Sequence, residues 1–114
     1  MAKVLLVDDD KAGLELRKLI LEREGHQVSI ATDPAQARAL FRSTQPDCIV
    51  LDLRLPEPTD GLSLIRAFRS ASPGVRIIAL CGWPPDIEGT PESQMVNVVL
   101  AKPTRTATLI STLS

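Results

Sequence analysis

The sequence predicts an α/β domain in which five buried parallel strands alternate with helices to give a doubly wound sheet. Three observations carry that expectation. Val4-Leu5-Leu6-Val7 and Cys48-Ile49-Val50-Leu51 are apolar at every position, the pattern of strands covered on both faces. The segments between such runs have helical spacing, with start and stop residues at their ends. Two of the runs lead directly into aspartate, so acidic groups gather at one end of the sheet. At 114 residues the chain is near the usual size of a single domain, and residues 1–114 are read as one.

The first strand, Val4 to Val7, is followed at once by Asp8-Asp9-Asp10. A first helix from Lys11 to Glu24 places Ala12, Leu16, Leu19, Ile20 and Arg23 at helical spacing and stops at Gly25. Gln27 to Ala31 is the second strand. Asp33-Pro34-Ala35-Gln36 opens the second helix with Asp as N-cap, Pro at N1 and Gln at N3, and Ala37, Leu40 and Phe41 form its inward face. Pro46-Asp47 breaks the chain before the third strand, which ends in Asp52. A loop from Leu53 to Thr59 precedes a third helix that opens at Asp60-Gly61, points Leu62, Ile65 and Phe68 inward and closes at Ser72-Pro73-Gly74. Val75 to Leu80 is the fourth strand. Gly82 to Gln94 holds three prolines and two glycines, so the fourth helix is expected to be short or degenerate. Val96 to Ala101 is the fifth strand, and Thr104 to Leu113 is a last helix with Ala107 and Ile110 on one face. Five strands in such an alternation favour the flavodoxin-like order 2-1-3-4-5.

Composition narrows the function classes. Thirteen Lys+Arg against 14 Asp+Glu leave a formal charge of −1, which supplies no basic field for nucleic acid or anionic lipid. No apolar run approaches the ~18 residues that a membrane helix requires, and Met1-Ala2-Lys3 runs straight into a strand, so a cytoplasmic location is expected. Cys48 and Cys81 are expected toward opposite ends of neighbouring strands, roughly 13 Å apart at the rise of a strand, too far for a disulfide. His26 follows the Gly25 cap without other ligating residues nearby and is read as a surface residue.

In open parallel sheets ligands bind outside the carboxyl ends of the strands where the strand order reverses, here between the first and third. Asp8, Asp9 and Asp52 fall there. Three converging carboxylates repel unless a cation neutralises them, and oxygen-only ligands select a hard ion such as Mg²⁺. Lys102, at the end of the fifth strand, is expected to approach the same rim, where an ammonium can hold a developing phosphoryl charge, as transfer to a carboxylate nucleophile needs. An acidic triplet alone is most simply a solvated turn capping a helix. What departs from that reading is the coincidence of an apolar strand ending in an acidic pair, another ending in Asp, and a fifth ending in Lys-Pro.

At these residues the chain resembles the receiver domain of two-component response regulators, over essentially its whole length. The Val7-Asp8-Asp9 stretch, Asp52 with Pro56 and Asp60-Gly61 beyond it, and Lys102-Pro103 match the family's acidic pair, phosphoacceptor strand and lysine-proline motif. The resemblance implies a signalling switch rather than an enzyme, phosphorylated on Asp52 by a histidine kinase, a phosphotransfer protein or a small phosphodonor. It implies Mg²⁺ held by the carboxylates of Asp9 and Asp52 and the backbone carbonyl of Arg54, with Asp8 acting largely through water. It further implies a cis Lys102–Pro103 peptide bond that points the ammonium into the acidic crevice.

The chain also departs from the family. The spacing from Asp52 to Asp60-Gly61 is one residue longer than the common pattern. Cys81, followed by Gly82, stands where the family has a Thr or Ser that bonds the phosphoryl group, and a thiol is a weaker donor. Val99 replaces the aromatic switch residue. Cys81 is read either as a buried strand residue or as a redox group, and Trp83 either as a cover for the sheet edge or, with Arg54, as part of the pocket rim. Two further functions compete: a pseudo-receiver that binds partners without phosphorylation, and an aspartate-nucleophile phosphatase, which Arg54 disfavours because such enzymes carry a second Asp there. The last helix is a turn or two short for the family, as in a trimmed chain or a minimal domain. The cognate kinase, the output partner and the oligomeric state, a homodimer included, are left open.

Overall fold

Apolar runs become the sheet. In the computed structural model, which describes residues 2–113, the strands are Lys3–Val7 (β1), Gln27–Ala31 (β2), Cys48–Asp52 (β3), Arg76–Cys81 (β4) and Val98–Ala101 (β5). All pair in parallel, in the order β2-β1-β3-β4-β5 that the sequence predicts. The central strand β3 is buried at every position, and β1 and β4 at all but their first residue. The edge strands are less covered, and β5 alternates half-buried with exposed residues.

The helices are Lys11–Arg23 (α1), Pro34–Thr44 (α2), Pro58–Ala71 (α3) and Thr106–Leu113 (α4). They fill two cores, one on each face of the sheet. Leu5, Val7, Ile49, Leu51, Ile77 and Ala79 face Ala37 of α2 and Leu64, Ile65 and Phe68 of α3. Phe41 stacks on Phe68 with ring centroids 4.6 Å apart. On the other face Val4, Leu6, Val50, Ile78 and Leu80 meet Leu14 and Leu21 of α1 and Leu109 of α4. Cys81 belongs to the first core and Cys48 to the second, and both thiols are free, as the strand spacing requires. Burial pushes the Cys48 thiol up to about 11, so it is protonated and inert at neutral pH.

Several elements differ from their expected form. In α1 the buried residues are Leu14 and Leu21, whereas Leu16 and Leu19 are 59% and 61% exposed. Leu14, Arg17 and Leu21 form an equally regular helical stripe, and this face, with fewer apolar residues, packs on the sheet with Arg17 paired to Asp8. In α4 the buried residue is Leu109; Ile110 packs partly against the same core and Ala107 is exposed. Helix α3 starts at Pro58 rather than at Asp60, because Pro suits the first helical position and the Asp60 carboxylate turns back to accept the Glu57 N–H at 3.0 Å. Gly61 is then buried against the backbone of Leu53, to whose carbonyl its N–H donates at 3.0 Å.

The segment between β4 and β5 forms only two 3₁₀ turns, Pro84–Asp86 and Pro91–Gln94, in keeping with its prolines. Polar contacts hold it where a helix would have packed. The Arg69 guanidinium donates to the carbonyls of Met95 (2.8 Å), Pro73 (2.9 Å) and Val75 (2.6 Å) and to Asn97 Oδ1 (2.9 Å). Asn97 Oδ1 also accepts the Ile77 N–H at 2.8 Å, which delays the start of β5 from Val96 to Val98. Arg69→Met keeps the stem and removes all four bonds. It is expected to lower stability by about 2 kcal/mol, read from urea melts, because the carbonyls exchange a charged donor for water. An unchanged midpoint would show that the guanidinium is not what fastens this segment.

Candidate functional site

The carboxyl ends of β1 and β3 lie side by side, with Val7 paired to Leu51, so the residues that follow Val7 and Leu51 share one crevice. Oxygens of Asp8, Asp9 and Asp52 approach within 4.8 Å of one another. Asp8 and Asp52 are 3% and 5% exposed, while Asp9 is open to solvent. Asp10, the third of the acidic triplet, turns away: it is the N-cap of α1 and accepts the Gly13 N–H at 3.2 Å. The capping reading therefore holds for Asp10, and the converging reading for Asp8 and Asp9.

Every buried carboxylate of the cluster is met by a donor. Lys102 Nζ lies 2.7 Å from Asp52 Oδ2, and the Arg54 N–H donates to Asp52 Oδ1 at 3.2 Å. Asp8 accepts the Asp10 N–H at 3.0 Å and pairs with Arg17 at 3.4 Å. Asp9 has no cationic partner among the described residues. Partial burial, its hydrogen bond with Asp8 and the charges of Asp8 and Asp52 push its carboxyl above the ordinary range. Burial acts to lower the Lys102 pKa, but its hydrogen bond to Asp52 and the charges of Asp52 and Asp8 leave it raised overall, so the ammonium stays protonated. An oxygen-only donor set with one carboxylate left unpaired fits a hard divalent cation such as Mg²⁺.

The rest of the rim falls into place around this pair. The Lys102–Pro103 bond is cis, as expected, and Leu55–Pro56 is cis as well. A Cβ on Gly82 would lie 3.9 Å from Lys102 Cβ, so Gly82 borders the lysine. The Cys81 thiol is buried and donates to the Trp83 carbonyl at 2.9 Å. Burial, partly opposed by that bond, raises its pKa, which weakens the redox reading. The Trp83 residue is 58% exposed. Val99, half exposed, lines a cavity of about 290 Å³ together with Cys81, Pro84, Ile87 and Ala101. His26 is half-buried, its Nδ1 accepting the Ala2 N–H at 3.2 Å, away from these groups in role.

Sequence reasoning missed two members. Arg17 was not assigned to the pocket, although a cation on α1 at helical spacing from Leu14 and Leu21 was the available signal. Asp86 holds the Arg54 side chain in a two-point ion pair, Nε–Oδ2 at 2.8 Å and Nη2–Oδ1 at 3.1 Å. Nothing in an aperiodic, proline-rich segment could place it there.

The sequence pattern of the response regulator receiver domain matches residues 4–114. The PhoP virulence transcriptional regulatory protein of Salmonella typhimurium is 36% identical over 91 residues, 77% of this chain and 40% of PhoP. The photosynthetic apparatus regulatory protein RegA of Rhodobacter capsulatus is 38% identical over 80 residues, 70% of this chain and 43% of RegA. The chain thus spans less than half the length of these curated relatives. Among solved structures, a CheY-like receiver domain from Methylobacillus flagellatus matches with a TM-score of 0.86 and 26% identity, covering 99% of this chain and 96% of that one. The chemotaxis response regulator CheY4 of Vibrio cholerae matches with a TM-score of 0.81 and 30% identity, covering 99% and 96%. The chain belongs to the response regulator receiver domain family. It is a signalling domain of two-component systems with the flavodoxin-like fold, and no helix among its described residues is long and apolar enough to cross a membrane.

Proposed function

We propose that residues 1–114 form one phosphoacceptor receiver domain, phosphorylated on Asp52 in a Mg²⁺-dependent reaction. The observation that carries this is the Lys102 ammonium 2.7 Å from a nearly buried Asp52 carboxylate that also faces Asp8 and Asp9. An Asp52 oxygen attacks phosphorus, the bond from phosphorus to the donor breaks, and the bonding pair leaves with the donor. Lys102 exchanges its bond with the carboxylate for one with a phosphoryl oxygen, where its retained charge stabilises the transferred group. Asp9, Asp52 and the Arg54 carbonyl would hold the cation, beside Asp8, which pairs with Arg17. The cation, when bound, neutralises the acidic cluster and the phosphoryl oxygens. The donor is a histidine kinase or a phosphotransfer protein in the cytoplasm, and the output passes to a partner or further domain. Incubation with Mg²⁺ and acetyl phosphate, followed by intact mass, is expected to show one added phosphoryl group that chelation of the metal prevents.

A second reading, a binding module that works without phosphorylation, is favoured by Cys81 and Val99. The thiol already donates to the Trp83 carbonyl and Val99 leaves the neighbouring cavity without an aromatic. Absence of any mass gain would decide for it. Under the first reading the same residues weaken the usual readout. Val99 is β-branched, stiff at χ1 and too short to report a vacancy near Cys81, and a ligand shifts an equilibrium only by its differential affinity for the two states. Beryllofluoride with Mg²⁺ is therefore expected to shift amide resonances around Asp52 and change Trp83 fluorescence, while β5 and α4 stay nearly unchanged. Shifts across Val98–Ala101 and Thr106–Leu113 as large as those at the pocket would overturn this.

A further inference from the structure

We propose that Asp86 is a positioning residue for the phosphoryl pocket: it holds the Arg54 guanidinium at the rim, and phosphorylation of Asp52 draws Arg54 to the phosphoryl oxygens and frees the Pro84–Asp86 turn. The inference rests on Asp52 being the phosphoacceptor. It starts from an ion pair that joins two strand-end loops. Arg54 lies just beyond β3 and its backbone N–H is bonded to Asp52 Oδ1 at 3.2 Å, so the side chain starts next to the acceptor carboxylate. The guanidinium is nevertheless turned away, with Nε and Nη2 both on Asp86, and Nη1 makes no hydrogen bond to a described residue. Asp86 stands on the turn that follows β4, and β4 pairs with β3 up to Asp52 opposite Leu80, so the ion pair joins two neighbouring strand ends.

The two ends of the pair are unequal. The Arg54 side chain is 56% exposed and that of Asp86 only 11%, so the arginine is the free partner and the carboxylate the fixed one. An exposed ion pair is weak and easily exchanged. A phosphoryl group offers the arginine fork three oxygens and more charge than one carboxylate, and so a stronger partner. When Arg54 leaves, the Asp86 carboxylate loses both of its side-chain hydrogen bonds. The turn it closes is otherwise held by the Asp86 N–H on Trp83 O (2.9 Å), the Ile87 and Glu88 N–H groups on Pro84 O (3.1 and 3.0 Å) and the buried Ile87 side chain. With no helix behind it, such a turn loosens when its tether is lost. The signal thereby leaves the pocket through the Trp83–Glu88 segment rather than through Cys81 and Val99.

Amide hydrogen exchange of Asp86, Ile87 and Glu88, measured with and without acetyl phosphate and Mg²⁺ while intact mass monitors phosphoryl uptake, tests this on the whole chain. In the wild type, phosphorylation is expected to speed exchange roughly two- to fivefold, the range open to the loss of one exposed ion pair. Asp86→Asn is expected to exchange at the faster rate already and to gain nothing on phosphorylation; Asp86→Glu is expected to restore the response. A wild type that takes up the phosphoryl group with unchanged exchange overturns the inference and leaves the phosphoacceptor reading standing. A response that persists in Asp86→Asn also overturns it. No phosphoryl uptake at all overturns both.

Discussion

Asp52→Asn is expected to abolish phosphoryl uptake while leaving the fold intact. The amide keeps the shape of the side chain but has no anionic oxygen to attack phosphorus, and the loss is complete rather than graded because the acceptor atom itself is gone. Stability moves little for two opposed reasons: the Lys102 ion pair at 2.7 Å is weakened, and the repulsion among Asp8, Asp9 and Asp52 is relieved. Intact mass after acetyl phosphate and Mg²⁺ should show no added phosphoryl group, with a melting curve close to that of the wild type. Uptake that survives the substitution would place the acceptor on another residue.

Gly61→Ala is expected to be among the most damaging single-methyl additions in the chain. A Cβ there would collide with the carbonyl oxygen, Cα and carbonyl carbon of Leu53, all backbone atoms that have no rotamer by which to yield. Overpacking of this kind costs about 3 kcal/mol or more, enough to lower the melting temperature by roughly 10 °C. Leu53 separates Asp52 from Arg54, so its displacement also reaches Asp52. Gly74→Ala, where a Cβ meets nothing within 4 Å, serves as the comparison and should melt like the wild type. Equal melting of the two variants would show that α3 does not approach Leu53 as closely as described.

The sheet and the pocket were legible because both depend on short-range pattern. Strands buried on both faces are apolar at every position, and Asp8, Asp9, Asp52 and Lys102 come together once the strand order is known. Helix faces were harder to read. In α1 the stripe of Leu16, Ile20 and Arg23 competes with that of Leu14, Arg17 and Leu21, and the fold seats Leu14 and Leu21 in the core with Arg17 on Asp8, a long-range pairing that helical periodicity does not show. In α4 one residue of rotation separates Ala107 and Ile110 from Leu109. Asp86, Arg69 and Asn97 were not legible at all. Each acts through hydrogen bonds to partners far along the chain, in or beside a segment without periodicity.

The uneven burial of the sheet bears on how constantly the pocket exists. Asp52 ends β3 and Asp8 and Asp9 follow β1, strands buried almost throughout, whereas Lys102 follows β5, half of whose residues are exposed, and precedes α4, in which Leu109 is the one fully buried residue. Sub-global opening of a protein begins where the least apolar surface is buried. The β5–α4 unit is thus the part most readily shed, and each opening takes the ammonium away from its carboxylate. The fraction of molecules with the ammonium seated on Asp52 is then the closed fraction of this unit, not a fixed property of the acidic cluster. Anything that grips β5 and α4 raises that fraction by mass action.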